Sequence, residues 1–185
     1  MQAAEIYRRA SAGFGARVHL VGGRWGAATP CPDWDVRALV NHLVNEERWT
    51  PELLGGATIA DVGDRFDGDL LGADPITTFD EAAAAALAAV EAVDPEQAVH
   101  LSFGDRPARE YVTQLAADHL VHAWDLARAT GEDEKLDPEA VDALLAWFAP
   151  TQKLYIEIGV IGPETPVAAD ASAQDRLLAM FGRTP

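Results

Sequence analysis

Residues 116–128 read Ala-Ala-Asp-His-Leu-Val-His-Ala-Trp-Asp-Leu-Ala-Arg. The composition is helical, yet Asp118, His119 and His122 bring a carboxylate and two imidazoles into little more than one turn. At about 100° of rotation per residue, Tyr111, Leu115, Leu126 and Ala129 define an apolar stripe, and the three polar groups fall within it or at its edge. Unpaired polar groups on a packed helix face are costly, so these side chains need partners. A divalent metal is one partner that suits all three. Asp118 and His122 are four residues apart and stand one above the other, the geometry that also makes H-E-x-x-H a metal motif. Two ligands do not retain a metal, so a third must come from elsewhere.

Competing readings use the same residues. Asp118 and a histidine can satisfy each other by hydrogen bonds with no metal. His119 and His122 have the i, i+3 spacing seen in di-iron bundles, a class that wants several glutamates, for which Glu46 and Glu47 are the candidates. Cys31 is either a nucleophile or, between Pro30 and Pro32, a buried part of the approach to a helix. Trp34, Trp49 and Trp124 either line a pocket or fill the core. Asp125 either orients a ligand histidine, pairs with an arginine at the surface, or touches the loop that leads into the second helix. His19 and His100 read as ordinary helix-flank and turn residues.

The elements that must position these groups are mostly helices. Apolar residues recur through 2–21 (Ile6, Ala10, Phe14, Val18, Val21) up to Gly22-Gly23, although Gly13 and Gly15 weaken the pattern. Asp35 is a good N-cap for a helix over 36–54 that stops at Gly55-Gly56. His42 lies on the flank of its apolar stripe beside Glu46, Trp49 and Leu53, where it can face a crevice between helices. After a Gly/Asp-rich connection over 55–76, Thr78–Glu81 reads as a capping box opening an Ala-rich helix to about Val93. Val99–Phe103 alternates before Gly104, as a short strand or turn would. A long helix spans 108–130 and closes at Gly131, and Asp137-Pro138 opens another that Pro150 ends or bends. From Gly159 the tail is punctuated by Gly and Pro, with a last turn over 173–181. This predicts an all-α fold over 1–185 as a single domain. Four long helices form a bundle, with a shorter helix and room for a small β-hairpin between the second and the third.

Composition narrows the function classes. Thirty acidic and fourteen basic residues give a formal charge of −16, and no basic patch offsets it, which argues against nucleic acid and anionic membranes. No apolar run approaches a membrane span, and the first residues do not read as a signal peptide. A single cysteine fits a reducing cytoplasm.

Two segments carry a resemblance: Thr29–Leu43, which reads TPCPDWDVRALVNHL, and Asp118–Gly131, which reads DHLVHAWDLARATG. Together they resemble the DinB/YfiT-like bundle family, in the branch of the N-terminal domain of mycothiol-dependent maleylpyruvate isomerase. The closing QDRLLA and FGR segments are similar to small actinobacterial members of that branch. The resemblance implies a four-helix bundle holding one divalent metal, usually zinc or nickel, on three protein ligands. Carried onto this chain they are His42, Asp118 and His122. The family's isomerases have glutamate where Asp118 stands, one methylene longer, and a further C-terminal domain that this chain does not show. The implied chemistry is thiol-dependent: a metal-bound thiolate of a small cofactor such as mycothiol attacks an electrophilic small molecule, in isomerase or S-transferase reactions. Three ligands leave an open position, the mark of a catalytic site. Glu46, one turn after His42, is the candidate proton-transfer group. The alternative is a non-catalytic bundle that binds a metal or small molecule in sensing or stress response. Either suits a monomer or a homodimer.

Overall fold

The computed structural model describes residues 1–157 and 161–185. In chain order the elements are α1 (Ala3–Val18), α2 (Val36–Leu54), α3 (Ile59–Val62), α4 (Pro75–Ala92), β1 (Ala98–Leu101), β2 (Gly104–Pro107), α5 (Ala108–Thr130), α6 (Pro138–Phe148), α7 (Gln152–Glu157) and α8 (Ala173–Met180). The longest four, α1, α2, α4 and α5, make the bundle: α5 packs along α1, α2 along α4, and contacts of α1 with α4 and α2 with α5 close the ring. β1 and β2 form an antiparallel hairpin in the register Val99↔Arg106 and His100↔Asp105, directly before α5. No helix among the described residues is long and apolar enough to cross a membrane.

Local chemistry sets most boundaries. The Asp35 carboxylate accepts from Ala38 N at 2.8 Å and opens α2. Asp137 accepts from the amides of Glu139 and Ala140, with Pro138 in the first turn of α6. Gly131 closes α5 at φ 73°, a left-handed conformation that glycine adopts freely.

Three expectations need correction. The first helix ends at Val18 rather than near residue 21. The helix runs on through Gly13 and Gly15, and α4 packs closely at Gly15: a Cβ there would lie 3.1 Å from Phe79 Cε1. The Ala-rich helix starts at Pro75, not at a Thr78–Glu81 capping box. Asp74 accepts from Thr77 N at 3.2 Å with Pro75 next in sequence, and this stronger signal acts one turn earlier. With its 18 residues α4 is therefore a full wall of the bundle, burying Phe79, Ala82, Ala86 and Val90. A short helix, α3, does lie in the connection after α2, and α6, of 11 residues, packs against α8. The start of the Gly/Pro-punctuated tail, at 158–160, lies outside the described residues.

The bundle interior is filled by Tyr7, Phe14, Leu39, Leu43, Phe79, Trp124 and Leu126, all at 2% exposure or less. α5 is the central helix, buried on nearly every side. Its polar residues therefore face other helices or a cavity.

Candidate metal centre

The face of α5 carrying Asp118 and His122 meets His42 of α2. His42 Nε2 lies 2.9 Å from Asp118 Oδ2, and His122 Nε2 lies 3.3 Å from Asp118 Oδ1. One donor atom from each of the three residues falls within 4.8 Å of the others. The imidazoles of His42 and His122 meet edge to face at 5.3 Å, and the Trp34 ring covers both, at 4.9 and 5.9 Å. Trp34 is held there by the turn before α2, in which its amide donates to Cys31 O and Asp33 adopts φ 68°.

Behind this trio lies a buried support. Asp125 Oδ2 sits 2.8 Å from His122 Nδ1, which leaves Nε2 to face Asp118. The same carboxylate accepts from Arg183 Nε at 3.1 Å and Nη2 at 2.7 Å, and from Cys31 Sγ at 3.2 Å. Arg183 Nη2 is also 3.2 Å from Cys31 Sγ, and Nη1 donates to Phe181 O. Carboxylate support of a ligand imidazole is a recurrent arrangement at metal sites, because it fixes the tautomer and orients the ring.

The electrostatics follow from these contacts. Burial opposes the charge of Asp118, but the charge and hydrogen bond of His122, with the bond from His42, hold its carboxyl well below the usual range. Burial also disfavours charge on His122. Asp118, Asp125 and Cys31 outweigh it and raise that imidazole well above its ordinary value. Burial raises Glu46, and the nearby Asp118 charge adds to the effect. For Asp125, burial is overcome by the bonds from His122 and Arg183, which lower it.

The donor set suits a metal. Two imidazole nitrogens and a carboxylate are borderline ligands of the kind zinc takes, and ligand atoms on a tetrahedral zinc stand roughly 3.3 Å apart. The two imidazoles lie 2.9 and 3.3 Å from the two oxygens of Asp118. One donor atom from each residue falls within 4.8 Å of the others, so a small adjustment would bring them to that spacing. A second convergent group, Cys31, His122 and Asp125, also falls within 4.8 Å. There the guanidinium of Arg183 already lies against both the sulfur and the carboxylate, so a cation fills the role a metal would have.

The trio opens on a cavity of about 440 Å³, whose wall includes Trp34, Glu46, Tyr111, Gln114, Trp147 and Arg183. Glu46 therefore faces the same space as His42, Asp118 and His122. His119 does not. It is fully buried on another side of α5, with Nδ1 2.8 Å from Leu115 O and Nε2 3.0 Å from Glu47 Oε1, edge-on to Tyr7. The di-iron reading fails on this geometry, because His119 and His122 point into different compartments. Trp124 is core, under the Arg128 guanidinium at 4.3 Å, and Trp49 packs on Phe66. His19 pairs with Asp80 and His100 with Asp105, both exposed. Cys31 is buried as expected, but it belongs to the support of His122 rather than to packing alone. Arg128 bonds Glu134, not Asp125. The arginine of Asp125 is Arg183, which no local signal in the sequence connects to it.

Residues 7–127 match the profile of the mycothiol maleylpyruvate isomerase N-terminal domain. The chain belongs to that family. The matched segment contains Cys31, His42, Glu46, Asp118, His122 and Asp125 and stops short of Arg183. Two uncharacterised proteins of Mycobacterium tuberculosis, one from each of two strains, are each 32% identical to it over 167 residues, covering 86% of this chain and 85% of theirs. No solved structure matches.

Proposed function

We propose that His42 Nε2, the Asp118 carboxylate and His122 Nε2 hold one divalent metal, zinc in the first place and nickel as the alternative. In this reading the protein is a cytoplasmic metal-dependent enzyme that uses a small thiol of the mycothiol type on an electrophilic small molecule, as an isomerase or S-transferase. The observation that carries this reading is the convergence of the three donors at the wall of a cavity of small-molecule size. When bound, the metal would supply a Lewis-acid position at which a thiol loses its proton.

The chain's own residues do the rest. Asp125, held by Arg183, keeps the His122 ring oriented. Trp34 covers both imidazoles and limits access of water from that side. Glu46 faces the cavity and is the group we assign to moving a proton between thiol or substrate and solvent. A carboxyl raised by burial holds a proton more readily than an exposed one, which suits it to such a transfer.

Elemental analysis of the purified protein tests the first step. One equivalent of metal is expected, lost in His42→Ala, Asp118→Ala and His122→Ala and retained in His119→Ala. Loss in His119→Ala with retention in Asp118→Ala would overturn the ligand assignment. In cobalt-loaded protein a small thiol should produce a sulfur-to-metal charge-transfer band that Cys31→Ala keeps. Metal without that band would favour a sensing or storage role.

A further inference from the structure

The cavity has two chemically different ends along one stripe of α5. Asp118 and His122 lie at one end, where His42 joins them. Gln114, one turn before Asp118, and Tyr111, two turns before, lie toward the other, about 6 and 10 Å away along the helix axis. Tyr111 is 5% exposed, and its hydroxyl has no hydrogen-bond partner among the described residues. The buried side-chain nitrogen of Gln114 is likewise unpartnered. The Thr50 hydroxyl lies beside that of Tyr111 but donates to Glu46 O at 2.8 Å, and the Tyr155 hydroxyl lies beside Gln114. Two buried donors that form no well-made hydrogen bond among the described residues, on the wall of one cavity, are a cost, since buried polar groups are nearly always paired. A ligand that brings an acceptor oxygen would relieve both.

Charge selects the kind of oxygen. The carboxyls facing the cavity are Glu46 and Asp118. Its basic side chains among the described residues, His42, His122 and Arg183, belong to the other end, and Arg183 is already bonded to Asp125, Cys31 and Phe181. A carboxylate between Tyr111 and Gln114 would thus be desolvated beside Glu46 with no counter-ion. A neutral carbonyl would not.

We propose that Tyr111 and Gln114 form a subsite for the uncharged carbonyl oxygen of a ligand whose reactive end reaches the His42–Asp118–His122 trio. The substrate class is then a neutral aromatic or apolar carbonyl compound rather than a carboxylic acid, with Trp147 supplying part of the apolar wall. This rests on reading the cavity as the binding site of a metal-dependent enzyme, but its test does not depend on the metal.

Benzamide and benzoate have nearly the same shape and differ in charge. Titration calorimetry of both against the full-length protein, Tyr111→Phe and Gln114→Leu, with metal content measured on each sample, decides the matter. Benzamide should bind on the order of tenfold more tightly than benzoate. Each substitution should weaken benzamide by roughly fivefold. Tyr111→Phe should leave the melting temperature of the unliganded protein unchanged or raised, because it removes an unpaired hydroxyl. Benzamide that fails to bind, binds equally to all three proteins, or is outcompeted by benzoate overturns the proposal. So does a lowered melting temperature in Tyr111→Phe, which would reveal an internal partner. Absence of metal in all samples, with discrimination between the probes intact, would sink the metal assignment and support the subsite.

Discussion

His119 and His122 lie within one turn of the same helix, and each meets a carboxylate, yet their surroundings differ in kind. His119 and Glu47 are sealed in the bundle interior at 0% exposure, with the imidazole also bonded to Leu115 O. His122 and Asp118 open on a cavity and draw in a second imidazole from α2. The first is a closed pair that has nothing to exchange with solvent. The second is a convergent trio with space in front of it. Both join imidazole to carboxylate; the number of donors meeting at one point, and access to that point, separate the two.

The comparison breaks most sharply under substitution. His122→Ala should abolish metal retention and also cost stability, because its buried imidazole pairs with buried Asp125. His42→Ala should abolish metal retention while leaving the metal-free fold near its original stability, as elemental analysis and urea unfolding would show. Glu47→Ala should do the reverse. Breaking a buried pair from one side costs about 3–5 kcal/mol, so urea unfolding should register a large loss, with the folded fraction still retaining metal.

A smaller effect is expected behind the trio. Asp125→Asn keeps the shape but removes the charge that orients His122, and should weaken metal binding about 10- to 100-fold in a chelator competition. The smallest effect is in pH dependence. For His119, burial opposes the charge but Glu47 outweighs it and the value is raised; Glu47 is raised mainly by burial. Both groups bind protons more tightly in the folded state. The stability they contribute is therefore whole below their unfolded values and is lost as pH rises through the folded ones. The pair titrates as a unit. Glu47→Gln should flatten the decline of stability as pH rises above the ordinary carboxyl range, which urea unfolding across a pH series would show. An unchanged slope would mean that the pair does not titrate as described.

Much of this contrast is legible in the sequence. The four-residue spacing of Asp118 and His122 places them on one face, and the flank position of His42 allows it to meet them. Which way His119 points is not legible. Helical periodicity separates a wet face from a dry one, and α5 is buried on nearly all sides, so both histidines look alike on a wheel. Caps read well where one signal stands alone, as at Asp35 and Asp137, and misled where two compete, as at Asp74 and Thr78. Arg183 was beyond reach, because it meets Asp125 across 58 residues and through a tail with no periodic pattern.

That contact leaves the protein with a built-in probe. Cys31, the sole thiol in the sequence, is covered by the Arg183 guanidinium. An alkylating reagent should then reach the sulfur more easily when the Arg183 side chain moves aside, so the rate of labelling responds to that contact. Labelling should be slow in the native protein and faster in Arg183→Leu. Any ligand that draws the cavity walls together should slow it further, reporting occupancy of the cavity.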